Sequence, residues 1–270
     1  MRPLGSSGPW DAGPVTARAS AILAPNPGWM TLDGTNSWLL VEPGADRAVL
    51  VDPGPDEPAH LAAVVRAAEE LSTRIATILL THGHPDHAEG AATLHALTGA
   101  PVRALDPAHR LGSEGLGAGD VIELAGLELH VVATPGHTAD SLTFLLPADR
   151  ALLTGDTILG RGSAVIAHPD GDLVAYLASL GRLAAVADDT AAQWVLPGHG
   201  PACPDPAGLI AGYVQHRHER LDMVAAALAA GRRDPDELLD LAYPEVPAEL
   251  RWAARLSLQA QVEYLAGRAG

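Results

Sequence analysis

Short apolar runs separated by Gly- and Pro-bearing breaks fill the first 200 residues, and longer stripes at the helical period follow. Strands are predicted near Ala19 to Ala24, at Ser37 to Glu42 and at Ala48 to Asp52, with Pro43-Gly44-Ala45-Asp46 as the hairpin turn between the last two. Asp56-Glu57-Pro58 has the acidic and proline character of a helix start, and Leu61, Val64, Val65, Ala68 and Leu71 recur behind it at helical spacing. The run Ile75 to Leu80 is a buried strand. Ala88 to Leu97 reads as a helix stopped by Gly99, and short strands are expected at Val102 to Leu105, Val121 to Leu124, Leu127 to Ala133, Ser141 to Leu146, Arg150 to Leu153 and Gln193 to Leu196. Ile210, Val214, Leu221, Val224 and Leu228 then mark one helix ended by Gly231. Asp234 and Pro235 supply the cap and first-turn proline of a second, and Pro247 to Leu265 forms a third.

Composition narrows the chemistry. With 270 residues and 47% hydrophobic content, the chain can bury the core of one large domain, or of a domain with a small appendage. No apolar run approaches the roughly 20 residues that cross a bilayer, and residues 1 to 9 have no apolar signal core, so a cytoplasmic location without membrane partners is expected. Cys203 is the only cysteine, which rules out an intrachain disulfide or a thiolate metal cluster; any metal must be held by His and Asp. All 17 basic residues are Arg, so Schiff-base lysine chemistry and a phosphate-loop lysine are excluded. A net charge of −16 opposes a broad grip on nucleic acid. Most of that charge lies in residues 1 to 200, which hold 10 Arg against 23 acids.

The candidate chemistry sits at strand ends. Thr81-His82-Gly83-His84-Pro85-Asp86-His87 places three imidazoles and a carboxylate directly after the Ile75 to Leu80 strand, where Gly83 and Pro85 let side chains converge. A thiolate-free set of this kind suits zinc and keeps the ion acidic enough to activate water. Thr134-Pro135-Gly136-His137, Thr154-Gly155-Asp156 and Pro197-Gly198-His199-Gly200 repeat the construction at three further strand ends. The intervals from His87 to His137, Asp156 and His199 are 50, 19 and 43 residues, so the recurrence belongs to the fold and not to one local tract.

The pattern His-x-His-x-Asp-His followed by single His, Asp and His residues resembles the metallo-β-lactamase-fold hydrolases over residues 20 to 200. The resemblance implies an α/β protein, an αββα sandwich with the metals at one edge of its sheets. It implies two zinc ions, one held by His82, His84 and His137, the other by Asp86, His87 and His199, with Asp156 bridging them. Asp156 departs from true β-lactamases, His84 in place of Glu disfavours the diiron flavoproteins, and the 43 residues before His199 are too few for the inserted domain of nucleases related to polyadenylation factors. Glyoxalase II and related thioesterases share all seven ligands. Gly34-Thr35-Asn36, Gly155 to Gly160, and Tyr213 with His216, Arg217 and Arg220 are similar to the lactamase-beta-like group whose animal members are endoribonucleases, a group with a winged-helix-like tail. The organisation expected is an N-terminal arm over 1 to 17, a catalytic domain over 18 to 203 and a helical, winged-helix-like C-terminal domain over 204 to 270.

On this resemblance the zinc ions polarise the substrate and make water a nucleophile, and Asp86 and Asp156 are the catalytic carboxylates that orient it. Asp52 is a candidate to hold a ligand histidine from behind, or alternatively a turn residue. The Gly160 to Ser163 loop should border the pocket, so Arg161, Ser163 and the nearby His168 are candidate substrate contacts, together with Tyr213, His216 and Arg217. Arg217 lies on the inward stripe of its helix, where it either meets a buried acid or reaches the cleft. Trp29 either walls the substrate site or folds onto the core. Single-stranded RNA is the leading substrate expectation, a thioester or small ester the second, and a metal-bearing module without turnover the third. A homodimer stays open.

Overall fold

Two five-stranded sheets form the centre of the computed structural model, which describes residues 5, 10–112, 114–167 and 170–268. The first sheet runs in chain order through β1 (Ala19–Leu23), β2 (Asn36–Val41), β3 (Arg47–Val51), β4 (Arg74–Leu79) and β5 (Val102–Arg103), antiparallel up to β3 and parallel from there. The second has the order β10-β9-β8-β7-β6, built from β6 (Val121–Leu124), β7 (Leu127–Ala133), β8 (Leu142–Leu146), β9 (Ala151–Gly155) and β10 (Trp194–Pro197), with only the β9–β10 pair parallel. Parallel neighbours need crossovers. Here α1 (Pro58–Glu70) joins β3 to β4, the one-turn α2 (Pro85–Ala88) and α3 (Ala91–Thr98) join β4 to β5, and α4 (Leu173–Asp189) joins β9 to β10.

Alternation along the strands sets the layers. Trp38, Leu40, Val49, Val51 and Leu79 point between the sheets and meet Leu129, Val131, Phe144, Leu153 and Leu196 of the second sheet. Their neighbours Leu39, Leu50 and Ile78 face outward under Leu61 and Val64 of α1 and Leu94 of α3. On the other side Leu152 and Val195 lie under Tyr176, Leu180 and Leu183 of α4. Burial on both faces explains why these strands read as continuous apolar runs. The result is the expected αββα sandwich.

Three helices follow, α5 (Pro206–Ala229), α6 (Pro235–Ala242) and α7 (Arg251–Arg268). Asp205 and Asp234 cap the first two by accepting from Gly208 N and from Asp236 N and Glu237 N. The first half of α5 packs on α4, whereas Val224 and Ala227 join Leu238, Leu239 and Leu258 in a separate apolar cluster. Among the described residues, 204–268 carry helices and turns with no strand, so the wing of a winged-helix-like tail is not found there.

The helix α4 was not expected from the sequence, although Asp172 caps it through Ala175 N and its buried Leu173, Tyr176, Leu180, Leu183 and Ala187 keep the helical period. The strand expected at Val102 to Leu105 ends at Arg103. Of the stretch expected as an arm, residues 1–4 and 6–9 lie outside the described residues. Trp10 packs against the inter-sheet core and donates from Nε1 to Asn36 Oδ1 at 2.8 Å. No described helix is long and apolar enough to cross a membrane.

Candidate metal centre

Both sheets deliver their strand ends to one edge. β4 leads into Thr81 and His82, β7 into His137, β9 into Asp156 and β10 into His199. Backbone bonds clamp the sheets together there: Leu142 N donates to Thr81 O at 2.7 Å and Asn36 N to Gly198 O at 2.8 Å. Asn36 Nδ2 reaches Pro197 O and Gly200 O, which gives the Gly34-Thr35-Asn36 motif a structural role under His199. Two glycines are needed for this approach. Gly155 has φ +50°, and a Cβ on it would lie 2.5 Å from Thr81 Oγ1; a Cβ on Gly198 would lie 2.5 Å from Asp156 Oδ1 and 2.6 Å from His87 Cε1.

Four of the five imidazoles, all but His84, are oriented from behind. His82 Nδ1 meets Thr81 Oγ1 at 3.0 Å, His87 Nδ1 meets Asp52 Oδ2 at 2.9 Å, His137 Nδ1 meets Val165 O at 2.9 Å, and His199 Nδ1 meets Gly34 O at 3.2 Å. A carbonyl or carboxylate only accepts, so the Nδ1 of His87, His137 and His199 carries the proton and the Nε2 of each neutral ring carries a lone pair. His87 Nε2 and His199 Nε2 nevertheless face each other at 3.2 Å, and His137 Nε2 lies 3.0 Å from His84 Nδ1. Converging lone pairs repel unless a cation lies among them. Asp156 Oδ1 is buried and has no hydrogen-bond partner. These are the features of a donor set that fits metal cations.

Three groups have ligand atoms within 4.8 Å of one another: His82, His84 and His137; His82, His87 and Asp156; and Asp86, His87 and His199. Asp156 spans them, with Oδ1 3.4 Å from His87 Nε2 and Oδ2 3.8 Å from His137 Nε2 and 3.3 Å from His199 Nε2. Asp86 Oδ2 is 3.2 Å from His199 Nε2. All seven residues singled out in the sequence therefore converge. Asp86 and His87 stand on the helical turn α2, which Pro85 starts, and not in a loop.

Charge is divided unevenly across the cluster. Burial opposes protonation of His199, but Asp156 and Asp86 outweigh it and raise this imidazole to about 9. Burial likewise opposes ionisation of Asp156, and the His199 and His87 charges reverse it, holding the carboxyl well below its ordinary range. His82 and His137 are pushed down, chiefly by burial. Without a metal, protons shared around Asp156 take the place of cations, and metal binding must release them.

A cavity of about 290 Å³ opens onto His137 and Asp156. A larger one of about 540 Å³ lies between α4 and α5 and touches none of the seven residues. Trp29, 62% exposed, and Met30 stand at the wall of the smaller cavity, so Trp29 does not fold onto the core. Of the candidate substrate contacts, Arg161, Ser163, His216 and Arg217 line it, with Arg161 paired to Asp33 at 2.5 Å. Tyr213 does not: it is fully buried, and its hydroxyl accepts from Leu159 N at 2.8 Å, fixing the loop after Asp156. His168 lies outside the described residues. Sequence reasoning missed Tyr176, whose hydroxyl donates to Thr157 O at 2.7 Å, and Glu245, which pairs with Arg220. The uninterrupted period of α4 would have found the first; Glu245 sits in a turn that carries no signal.

His216 supplies a pH-dependent element. Burial first, then Arg217 and Arg220, lower its imidazole from 6.5 to about 4, against the opposing pull of Glu245 and Glu219. The unfolded chain then binds more protons than the folded one between those values, so this contribution is full above pH 6.5 and is lost as pH falls toward 4. The loss is about 3 kcal/mol at most, and the solvent that reaches the ring reduces it. Urea midpoints of wild type and His216→Gln measured across this window should converge as the pH falls, and a constant difference would count against the assignment.

The comparisons with known proteins agree with this geometry. A family model described as the metallo-beta-lactamase superfamily matches residues 30–199. The chain is 34% identical over 256 residues to the lactamase-like protein adaB of Aspergillus niger, covering 88% of this chain and 77% of that one. It is 31% identical over 224 residues to the atrochrysone carboxyl ACP thioesterase of Aspergillus chevalieri, covering 81% and 68%. A metallo-beta-lactamase family protein from Thermus thermophilus superposes with a TM-score of 0.75 at 25% identity, over 93% of this chain and 94% of that one. A hydrolase fold, a converged histidine and aspartate cluster and a family match over most of the chain lead to one conclusion: the chain belongs to the metallo-beta-lactamase superfamily.

Proposed function

We propose that this protein hydrolyses acyl thioesters at a two-metal centre held by His82, His84, His137, Asp156, Asp86, His87 and His199. The observation that carries the reading is the small, mostly apolar cavity that opens directly onto His137 and Asp156. An acyl group fits such a space, whereas a nucleic acid strand needs an open cationic track. The chain's net charge of −16 works against that track. Two of the three arginines on the cavity wall, Arg161 and Arg220, are already paired with acids. The thioesterase named among the relatives supports the same reading. This reverses the order in which the sequence alone ranked the substrates.

Metal ions bound there would polarise the thioester carbonyl and make water a competent nucleophile near neutral pH. Zinc suits a donor set of imidazole and carboxylate. Asp86 and Asp156 stay ionised and present oxygens that accept from the attacking water. Of the two, Asp86 has the more open side chain, at 31% against 12%. Trp29 and Met30 shield one side of the cavity from solvent.

The test presents an acyl thioester, a phosphodiester, an RNA oligonucleotide and a β-lactam to zinc-loaded protein, with the metal content of the same preparation measured. Preferential cleavage of the thioester is expected, with two metal equivalents bound. Cleavage of RNA while the thioester stays intact would restore the similarity to the endoribonuclease group as the better guide.

A further inference from the structure

Two arginines of α5, Arg217 and Arg220, are each 2% exposed, and they differ in one respect. Arg220 pairs with Glu245 and lies over the Tyr243 ring at 4.7 Å. Arg217 lies over the Tyr176 ring at 4.9 Å and donates from Nη2 to Ala164 O, but the ion pairs among the described residues all leave it out, and its buried Nε has no partner. A guanidinium keeps its charge at any working pH, so a buried one without a carboxylate is costly unless an anion joins it. Arg217 lines the same cavity as His137 and Asp156. That wall also carries His216 and the paired Arg161 and Arg220 with Glu245, and its apolar stretch is formed by Val165 and, from the C-terminal region, Val246, Leu250 and Ala254.

We propose that Arg217 is a specificity residue that receives a carboxylate on the substrate's acyl group, so that the preferred substrate is a compact acyl thioester carrying an anionic end. This rests on the thioesterase reading and names its substrate class. The reacting carbonyl lies at the His137 and Asp156 end of the cavity, the hydrocarbon of the acyl group lies along the apolar wall, and the distal carboxylate accepts from Arg217. A planar carboxylate matches the guanidinium fork better than a single-point acceptor does. The competing explanation is a positioning role: Ala164 precedes Val165, whose carbonyl holds His137 Nδ1, so Arg217 could act only by fixing that loop.

The two roles separate in a ratio. Succinyl, glutaryl and adipoyl thioesters of N-acetylcysteamine are compared with butyryl, pentanoyl and hexanoyl thioesters on zinc-loaded wild type and on Arg217→Gln and Arg217→Lys. For wild type, kcat/KM for at least one dicarboxylic thioester should exceed that of its uncharged counterpart by about tenfold or more, the range of a charge-assisted hydrogen bond. The ratio should collapse toward one in Arg217→Gln and be partly kept in Arg217→Lys. Absence of any preference in wild type, or a full preference in folded Arg217→Gln, overturns the proposal; a positioning role lowers both substrate classes together and leaves the ratio intact. Calorimetric titration of wild type with glutarate against pentanoate needs neither a variant nor turnover. If no thioester is cleaved but glutarate binds about tenfold more tightly, the thioesterase reading falls and the anion subsite stands; equal binding removes the subsite.

Discussion

Asp156→Ala is expected to lower turnover by more than about a hundredfold while the protein stays folded, exceeding the effect typical of residues that only support a metal ligand. Among the described residues Asp156 is the one carboxylate that faces His87, His137 and His199 together, at 3.3–3.8 Å, and its buried Oδ1 has no other partner there. Removing it takes away the anion around which His87 and His199 hold their charge. The fold should survive because the side chain contributes nothing to the apolar layers and lies beyond the last residue of β9. Asp156→Asn keeps the volume and loses the charge, so comparison of the two variants separates packing from electrostatics. Circular dichroism, bound-metal analysis and thioester turnover together check the prediction. Near-normal turnover by a folded, metal-loaded Asp156→Ala protein would remove Asp156 from the site.

The candidate ligand set was legible because a strand that stops at a Gly- or Pro-bearing turn writes its end into the sequence, and each of the four ends carries its imidazole or carboxylate within a few residues. The layers were legible for a similar reason, since sheets covered on both faces need continuous apolar runs. Long-range pairing was not. Tyr213 has the polar tip of a substrate contact, yet that tip is used 54 residues away on the Leu159 backbone. An inward arginine on α5 called for a buried acid, but the acid that answers, Glu245, is exposed, and it meets Arg220 and leaves Arg217, one turn earlier, to face the cavity. Helical spacing puts both arginines on one face and cannot decide which of them an acid from a distant turn will reach.

Asp52 tests the layer behind the ligands. It is 1% exposed, and its φ of +55° is in the left-handed region, which Asp and Asn enter more readily than other residues with a Cβ. That conformation aims its carboxylate at three donors: Thr81 N and Thr81 Oγ1, each at 2.7 Å, and His87 Nδ1 at 2.9 Å. Asp52→Ala leaves the buried Thr81 N and His87 Nδ1 without an acceptor and the Thr81 hydroxyl with only His82 Nδ1 to turn to, at about 1–3 kcal/mol for each stranded donor, so a large part of a total stability of about 5–15 kcal/mol is expected to be lost. Asp52→Asn is the more informative variant. Asparagine tolerates the positive φ and its amide oxygen can still accept from Thr81 N, but its amide nitrogen cannot accept from His87 Nδ1. The neutral imidazole is then driven toward the tautomer with its proton on Nε2, which removes the lone pair aimed at the metal site. Competition against a chelator should show metal affinity about 10–100-fold weaker in Asp52→Asn, with a correspondingly smaller loss in the urea midpoint than in Asp52→Ala. Wild-type metal affinity in Asp52→Asn would make Asp52 a turn residue whose contact with His87 has no bearing on the site.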